Sequence, residues 1–261
     1  MNHIHPIPAF TDNYIWILCE QGSNKACVVD PGDASVVIQY LEARQLQLST
    51  ILITHHHPDH TGGVKKLVEQ YQPRVIGPGS SNIAGITEIV QEGDEVQLFD
   101  ESFQVIDIPG HTLDHIAFYC QHPSDAQAPK LFCGDTLFAA GCGRIFEGNP
   151  AQMYASLNKL AALSPQALVY CTHEYTLANL KFAEAADPNN ISLKTRTLSE
   201  QLKRSLNQPT LPSTLELELD TNPFLRCDKK ALRDTLTARE ADVDNDELAV
   251  FTALRAWKDN F

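Results

Sequence analysis

The stretch Thr54-His55-His56-His57-Pro58-Asp59-His60 comes directly after the apolar run Thr50-Ile51-Leu52-Ile53. The β-branched run reads as a buried strand, so imidazoles and a carboxylate crowd the end of an apolar element. Such a cluster is costly to bury unless something binds it. Neutral imidazole and carboxylate are preferred ligands of zinc, iron and manganese. A chain with this stretch is expected to build its fold around a metal at a strand end, with further ligands supplied by neighbouring loops.

Three other loops have the same form, an apolar run, a turn residue and then a potential ligand. They are Ile106-Asp107-Ile108-Pro109-Gly110-His111, Leu131-Phe132-Cys133-Gly134-Asp135 and Val169-Tyr170-Cys171-Thr172-His173. The candidate ligands are therefore His55, His57, Asp59, His60, His111, Asp135 and His173. That set exceeds the needs of one tetrahedral zinc and suits two divalent ions sharing a carboxylate and a water. Alternate residues of an extended segment share a face, so His55 and His57 can meet one ion while His56 points away. The turn at Pro58 then swings Asp59 and His60 toward a second.

Elsewhere along the chain, residues 14–30 read as two strands about the Gly22-Ser23-Asn24 turn, and a helix starts near Ser35. Another helix begins after Gly62-Gly63. Short strands are expected at 95–99, 103–108, 115–120 and 130–133, then a helix at 151–163 and a strand at 168–171. Strands alternating with helices indicate α/β or α+β architecture. After about residue 174 the pattern turns helical: 175–206 with a break near Asp187-Pro188, a polar loop over 207–223, and helices at 228–239 and 244–258. We therefore expect a catalytic domain over 1–173 and a helical C-terminal domain over 174–261.

The chain has 261 residues and a net charge of -13. That balance argues against nucleic acid or an anionic membrane as a whole-surface partner. No apolar run approaches a membrane span. The N-terminus lacks the basic and apolar regions of a signal peptide. The seven cysteines form an odd set without a C-x-x-C pair, and most lie in strand-like runs as small hydrophobes. A reducing compartment, the cytoplasm, is the expectation.

With these residues in view, the chain resembles the metallo-β-lactamase superfamily, and within it the hydroxyacylglutathione hydrolase (glyoxalase II) family. The histidine loop and the turns Gly110-His111-Thr112, Gly134-Asp135-Thr136 and Cys171-Thr172-His173-Glu174-Tyr175 carry the superfamily resemblance. The family resemblance lies in Asp135-Thr136-Leu137-Phe138-Ala139-Ala140-Gly141-Cys142-Gly143-Arg144, Phe146-Glu147-Gly148, Asn222-Pro223-Phe224-Leu225-Arg226 and Leu254-Arg255-Ala256-Trp257-Lys258-Asp259.

The resemblance implies an αββα sandwich with a C-terminal helical domain. It implies one metal on His55, His57 and His111, another on Asp59, His60 and His173, and Asp135 bridging them. Zinc is the expected metal, with iron or manganese also suited to these ligands. Arg144, Tyr175, Arg255 and Lys258 would bind the glutathione moiety of a thioester substrate. The implied reaction is hydrolysis of S-(2-hydroxyacyl)glutathione, S-D-lactoylglutathione to D-lactate and glutathione, the second step of methylglyoxal detoxification. We expect the enzyme to work as a monomer.

The chemistry agrees with the residues. Two divalent ions give +4; Asp59, Asp135 and a hydroxide reduce this to +1, and a water between such ions is acidified toward neutrality. A thiolate leaves readily, so no separate general acid is required. Asp59 is the candidate for orienting the nucleophile. Arg offers a fork for carboxylates and Lys a point charge, and the i, i+3 spacing of Arg255 and Lys258 places both on one helical face.

Other polar residues have plainer readings. His115 reads as a packing partner or support for a ligand, His3, His5 and His122 as structural or solvated, and Cys142 as structural. Asp30, before Pro31-Gly32, either orients a ligating histidine or caps its turn. Two residues depart from the family pattern: Asp114 stands where glycine is common, and Phe146 where some members have tyrosine. Rival functions are a β-lactamase or nuclease of the same superfamily, an iron-dependent sulfur dioxygenase, and a non-catalytic metal scaffold. The missing signal peptide, the negative charge, the retention of both His60 and His173, and the open character of the site weigh against them in turn.

Overall fold

A computed structural model describes residues 3–79, 83–121, 127–239, 243 and 246–261. His122 lies outside the described residues. The chain divides into two compact units, Met1–Asp107 with Asp114–Gly134, and Ile108–Leu113 with Asp135–Phe261. Among the described residues no helix is long and apolar enough to cross a membrane.

The first unit contains β1 (His3–Ala9), β2 (Asn13–Cys19), β3 (Lys25–Val29), α1 (Ala34–Arg44), β4 (Gln47–Leu52), α2 (Pro58–Thr61) and α3 (Val64–Tyr71). It continues with β5 (Arg74–Gly77), β6 (Glu88–Ile89), β7 (Glu95–Leu98), β8 (Glu101–Asp107), β9 (Ile116–Cys120) and β10 (Lys130–Gly134). Strands β1 to β6 lie in sequence order in one sheet, antiparallel as far as β3 and parallel from there on. Strands β7 to β10 form an antiparallel meander.

Parallel pairing brings the loops after β3 and β4 to the same sheet edge. Val29 of β3 lies opposite Leu52 of β4, so the two C-terminal ends run out side by side. Asp30 then stands next to Ile53-Thr54, with its N–H donated to Leu52 O at 2.9 Å. Helices α1 and α3 cover this sheet through Val37, Leu41, Val64 and Leu67, packed with Ile51, Ile53 and Val75. Helix α1 starts where the Asp33 side chain accepts the Ser35 N–H at 2.7 Å and ends with Gln45 in the left-handed conformation.

The second unit contains β11 (Leu137–Phe138), β12 (Gly141–Cys142), α4 (Pro150–Ala161), β13 (Leu168–Cys171), α5 (Thr176–Ala186), α6 (Ile191–Ser205) and β14 (Ser213–Thr214). It ends with α7 (Leu215–Thr221), a 3-10 turn Pro223–Leu225, α8 (Lys230–Thr237) and α9 (Glu247–Asp259). Helix α4 has a capping box, in which Asn149 accepts the Gln152 N–H at 3.0 Å and the Gln152 side chain accepts the Asn149 N–H at 3.1 Å.

Helix α7 corrects the expected loop at 207–223. Thr214 caps it by accepting the Leu217 N–H at 3.2 Å. Its Glu218 is fully buried, which a reading of polarity along the chain takes for a solvated position. Glu218 accepts from Arg196 Nη2 at 2.5 Å, Ser213 Oγ at 2.5 Å and the Ala140 N–H at 2.7 Å. Asn222 donates to Phe138 O and Gly141 O at 3.2 and 2.9 Å, and Asn179 to Ala139 O at 3.1 Å. Side chains from α5, α7 and the residue after α7 thus hold every residue of the turn between β11 and β12. That hairpin connects Asp135 to Arg144.

Candidate metal centre

In the first unit the ligand loop leaves β4 at Thr54 and turns into α2, where the His57 carbonyl accepts the His60 N–H at 3.0 Å. His55 and His60 are fully buried, with ring centroids 4.0 Å apart, and His57 lies 4.8 Å from His55. His60 Nδ1 is 3.0 Å from Asp30 Oδ2, and His55 Nδ1 is 3.1 Å from Thr54 Oγ1. Both rings are therefore held at Nδ1 and present Nε2. Asn13 Nδ2 donates to Asp59 Oδ2 at 3.1 Å and fixes that carboxylate's rotation.

His56 turns to a different partner, Asp114, at 2.9 Å, so the residue between His55 and His57 is tethered by the aspartate that departs from the family pattern. His115 stacks on His55 at 4.4 Å with an interplanar angle of 15° and bonds through Nδ1 to Ile116 O at 3.1 Å. It packs flat against the His55 ring. Gly134 has φ +47, and a Cβ there would lie 2.4 Å from Thr54 Oγ1 and 2.8 Å from His115, so only glycine permits this approach.

In the second unit His111, Asp135 and His173 are brought together, all buried. His111 Nδ1 donates to Arg144 O at 2.8 Å, again leaving Nε2 as the presented atom. Asp135 Oδ2 stands 3.5 Å from His111 Nε2 and 3.3 Å from His173 Nε2. A Cβ on Gly143 would approach Asp135 O to 1.9 Å, which explains the glycine after Cys142.

These separations test whether the residues suit a metal. Nitrogen and oxygen ligands about 2.0–2.2 Å from a tetrahedral ion lie roughly 3.3–3.6 Å from one another. Asp59 Oδ2 and His60 Nε2 are 3.5 Å apart, and the two Asp135 distances fall in the same interval. They are too long for good hydrogen bonds and have the length of a coordination edge. One oxygen of Asp135 thus stands nearly equidistant from two imidazoles. The first unit thus gathers His55, His57, Asp59 and His60, and the second gathers His111, Asp135 and His173.

The residues expected to bind substrate all lie in the second unit. Tyr175 stacks on His173 at 4.7 Å, nearly parallel, and meets the edge of Phe138. Arg144 is exposed, with Nε 3.6 Å from Asp259. Arg255 is only 6% exposed; it donates to Cys142 O at 3.0 Å and to Asp259 Oδ1 at 2.8 Å. Its fork is thus engaged inside the fold and holds the end of β12. Burial, and then the neighbouring Arg255 charge, push the Lys258 pKa below the ordinary lysine value. Cys142 is buried beside Arg255, and burial pushes its thiol pKa up, against a nucleophilic role. Asn13, Thr54, Asn179, Glu218 and Asn222 join the site without having been expected there. Only Asn13 offers a local signal, a polar residue opening an apolar strand.

Comparison with known proteins places this geometry. Residues 10–173 match the metallo-beta-lactamase superfamily model, and residues 174–261 match the hydroxyacylglutathione hydrolase C-terminus model. The chain is 52% identical over 256 residues to the hydroxyacylglutathione hydrolase of Chromohalobacter salexigens, covering 98% of each. Among solved structures it resembles ETHE1 from Myxococcus xanthus, with a TM-score of 0.58 and 26% identity over 83% of this chain and 95% of that one. It also resembles the BLEG-1 B3 metallo-beta-lactamase, with a TM-score of 0.62 and 23% identity over 87% of this chain and 100% of that one.

Fold and ligands together define the class, a binuclear metallohydrolase with the αββα sandwich of the metallo-β-lactamases and an additional C-terminal helical region. Within that class, the chain belongs to the hydroxyacylglutathione hydrolase family.

Proposed function

We propose that this protein hydrolyses S-(2-hydroxyacyl)glutathione thioesters, converting S-D-lactoylglutathione to D-lactate and glutathione, the second step of methylglyoxal detoxification. The observation that carries the hydrolytic half is Asp135 Oδ2, 3.5 and 3.3 Å from the Nε2 atoms of His111 and His173. The substrate class is supported by the end-to-end likeness to hydroxyacylglutathione hydrolases.

In this reading His55, His57 and His111 would hold one ion and Asp59, His60 and His173 the other, with Asp135 as a ligand they would share. Zinc is the proposed metal in both positions, and iron or manganese suits the same nitrogen and oxygen donors. When bound, the pair of divalent ions supplies a water of lowered pKa and positive charge facing the thioester carbonyl. Asp59 orients the attacking water through its carboxylate, whose rotation Asn13 fixes. The thiolate of glutathione departs without a protein acid.

Arg144, Tyr175 and Lys258 meet the glutathione moiety, and Arg255 adds charge from behind while it holds the Cys142–Gly143 backbone. Residues 1–173 form the catalytic domain, which also supplies Arg144, and 174–261 the helical domain with the other substrate-binding residues, a division supported by the two family models. The enzyme acts as a cytoplasmic monomer. Purified protein supplied with S-D-lactoylglutathione should release glutathione, with close to two metal ions per chain in the same sample. Folded, metal-loaded protein that releases none would overturn the reading.

A further inference from the structure

Thr210 lies in the connection between α6 and β14, within the stretch that reads from sequence as a polar loop, yet it is only 4% exposed. Its backbone N–H donates to Glu174 Oε2 at 2.9 Å, and its hydroxyl donates to the other oxygen of the same carboxylate. That hydroxyl also meets Thr176 Oγ1 at 2.6 Å. A hydroxyl has one proton, and Thr210 has given its own to Glu174, so Thr176 donates in this second contact. Thr210 thus fastens two residues, 36 and 34 positions earlier in the chain, that flank a third, Tyr175.

Tyr175 is held by these neighbours more than by its own helix. It stands at the N-cap of α5, where its side chain makes no capping hydrogen bond. Its backbone has φ -90° and ψ 4°, in the sparsely allowed bridge region where many active-site residues sit. The ring lies flat on His173, with centroids 4.7 Å and planes 4° apart, and meets the edge of Phe138 at 5.4 Å. A tyrosine has only two side-chain torsions, so a rotation of the backbone at 174–176 would carry the ring off His173 and displace its hydroxyl. Arg204, in the last turn of α6, steadies the loop that brings Thr210 in. Its Nη1 donates to Gln208 O at 2.8 Å and stands 3.7 Å from Glu174 Oε2.

We propose that Thr210 is a positioning residue for Tyr175. By holding Glu174 and Thr176 on either side, it fixes the backbone from which the Tyr175 ring is aimed, and so sets affinity for the glutathione part of the substrate. The inference rests on the reading of Tyr175 as a substrate contact. Thr210 and Thr176 are both buried, so Thr210 reaches the substrate only through what it holds. Were the three polar side chains merely satisfying one another in the interior, removing one would lower stability and leave binding as it was.

The test is KM and kcat for S-D-lactoylglutathione on metal-loaded protein, with Kd for glutathione measured by calorimetry on the same samples and the fold checked by thermal unfolding. Thr210→Val has nearly the same shape and keeps the backbone N–H, but loses the hydroxyl. It should raise KM and Kd by about 3–10-fold, the worth of one hydrogen bond, with metal content and kcat close to wild type. Thr210→Ser, which keeps the hydroxyl, should return both to near wild-type values. In a Tyr175→Ala background, Thr210→Val should change neither further, because no ring remains to be aimed. A folded Thr210→Val that loses only thermal stability would overturn the inference, as would an undiminished effect of Thr210→Val in Tyr175→Ala. If Thr210→Val does not fold, Thr176→Val, which cuts the other arm, is read in the same way. Tyr175→Ala separates the two claims. If it leaves KM and Kd unchanged, the reading of Tyr175 as a substrate contact fails and the inference with it; if it raises both while a folded Thr210→Val raises neither, only the role of Thr210 fails.

Discussion

Glu218→Ala removes the side chain that ties the helical region to the β11–β12 hairpin, and its cost can be worked from the geometry. Glu218 is fully buried and its partner Arg196 is 4% exposed, with the pair at 2.5 Å. Truncating one member leaves the guanidinium in a low-dielectric interior with the neutral hydroxyls of Thr221 and Ser213 as partners, at 2.6 and 3.1 Å. Breaking a buried pair in this way costs about 3–5 kcal/mol. The Ala140 N–H also loses its acceptor, which keeps the expectation toward the upper end. For a chain of this length each kcal/mol moves the melting temperature by roughly 2 °C, so differential scanning calorimetry should show a fall of about 6–10 °C. Replacing both partners by apolar residues, Arg196→Met with Glu218→Leu, should recover much of that loss, because no uncompensated charge remains. A single variant melting within about 2 °C of wild type, or a double variant less stable than the single, would show that the pair is not the restraint described.

Lys258→Ala should raise KM for the thioester several-fold with a smaller change in kcat; a pure loss of kcat would contradict a binding role. The Lys258 charge is present below its pKa and lost as pH rises through it. Because that pKa is lowered, by burial first and Arg255 second, KM should begin to rise below the ordinary lysine range near ~10.4, and Lys258→Arg should not show this rise. Asp59→Ala should abolish turnover, and a rate equal to wild type would remove Asp59 from the mechanism. In native protein treated with a maleimide and mapped by mass spectrometry, partly exposed Cys19 should react first. Cys27, Cys171 and Cys227, whose thiols burial pushes up, should stay unmodified until unfolding.

Legibility in the sequence depends on the range of the interactions. The four ligand-bearing loops are readable because each consists of neighbouring residues, an apolar strand followed by a turn and a donor. Helix α7 is not, although Thr214 carries a capping signal, because a glutamate in a polar, proline-bearing stretch looks solvated until Arg196 is placed beside it. Arg255 would pass for a surface residue on α9 by its spacing alone. Its burial depends on the Cys142 carbonyl, 113 residues away. His115 is readable as a supporting residue, but only the fold shows that it lies flat against His55.

The sequence by itself determined the chemistry: which side chains can ligate, that there are enough of them for two ions, and where in the chain the ligands lie. Tertiary structure decided which ring nitrogens are held by hydrogen bonds and which are left to be presented. Thr54, next to His55 in the chain, holds that ring at Nδ1, but nothing local chooses between the two nitrogens of His60. For His60 the choice is made by Asp30, brought close because β3 and β4 run parallel and end side by side. It is made for His111 by the carbonyl of Arg144, 33 residues away. Hydrogen bonds of this kind act over a few ångströms in space between residues far apart in sequence, so they exist only once the chain has packed.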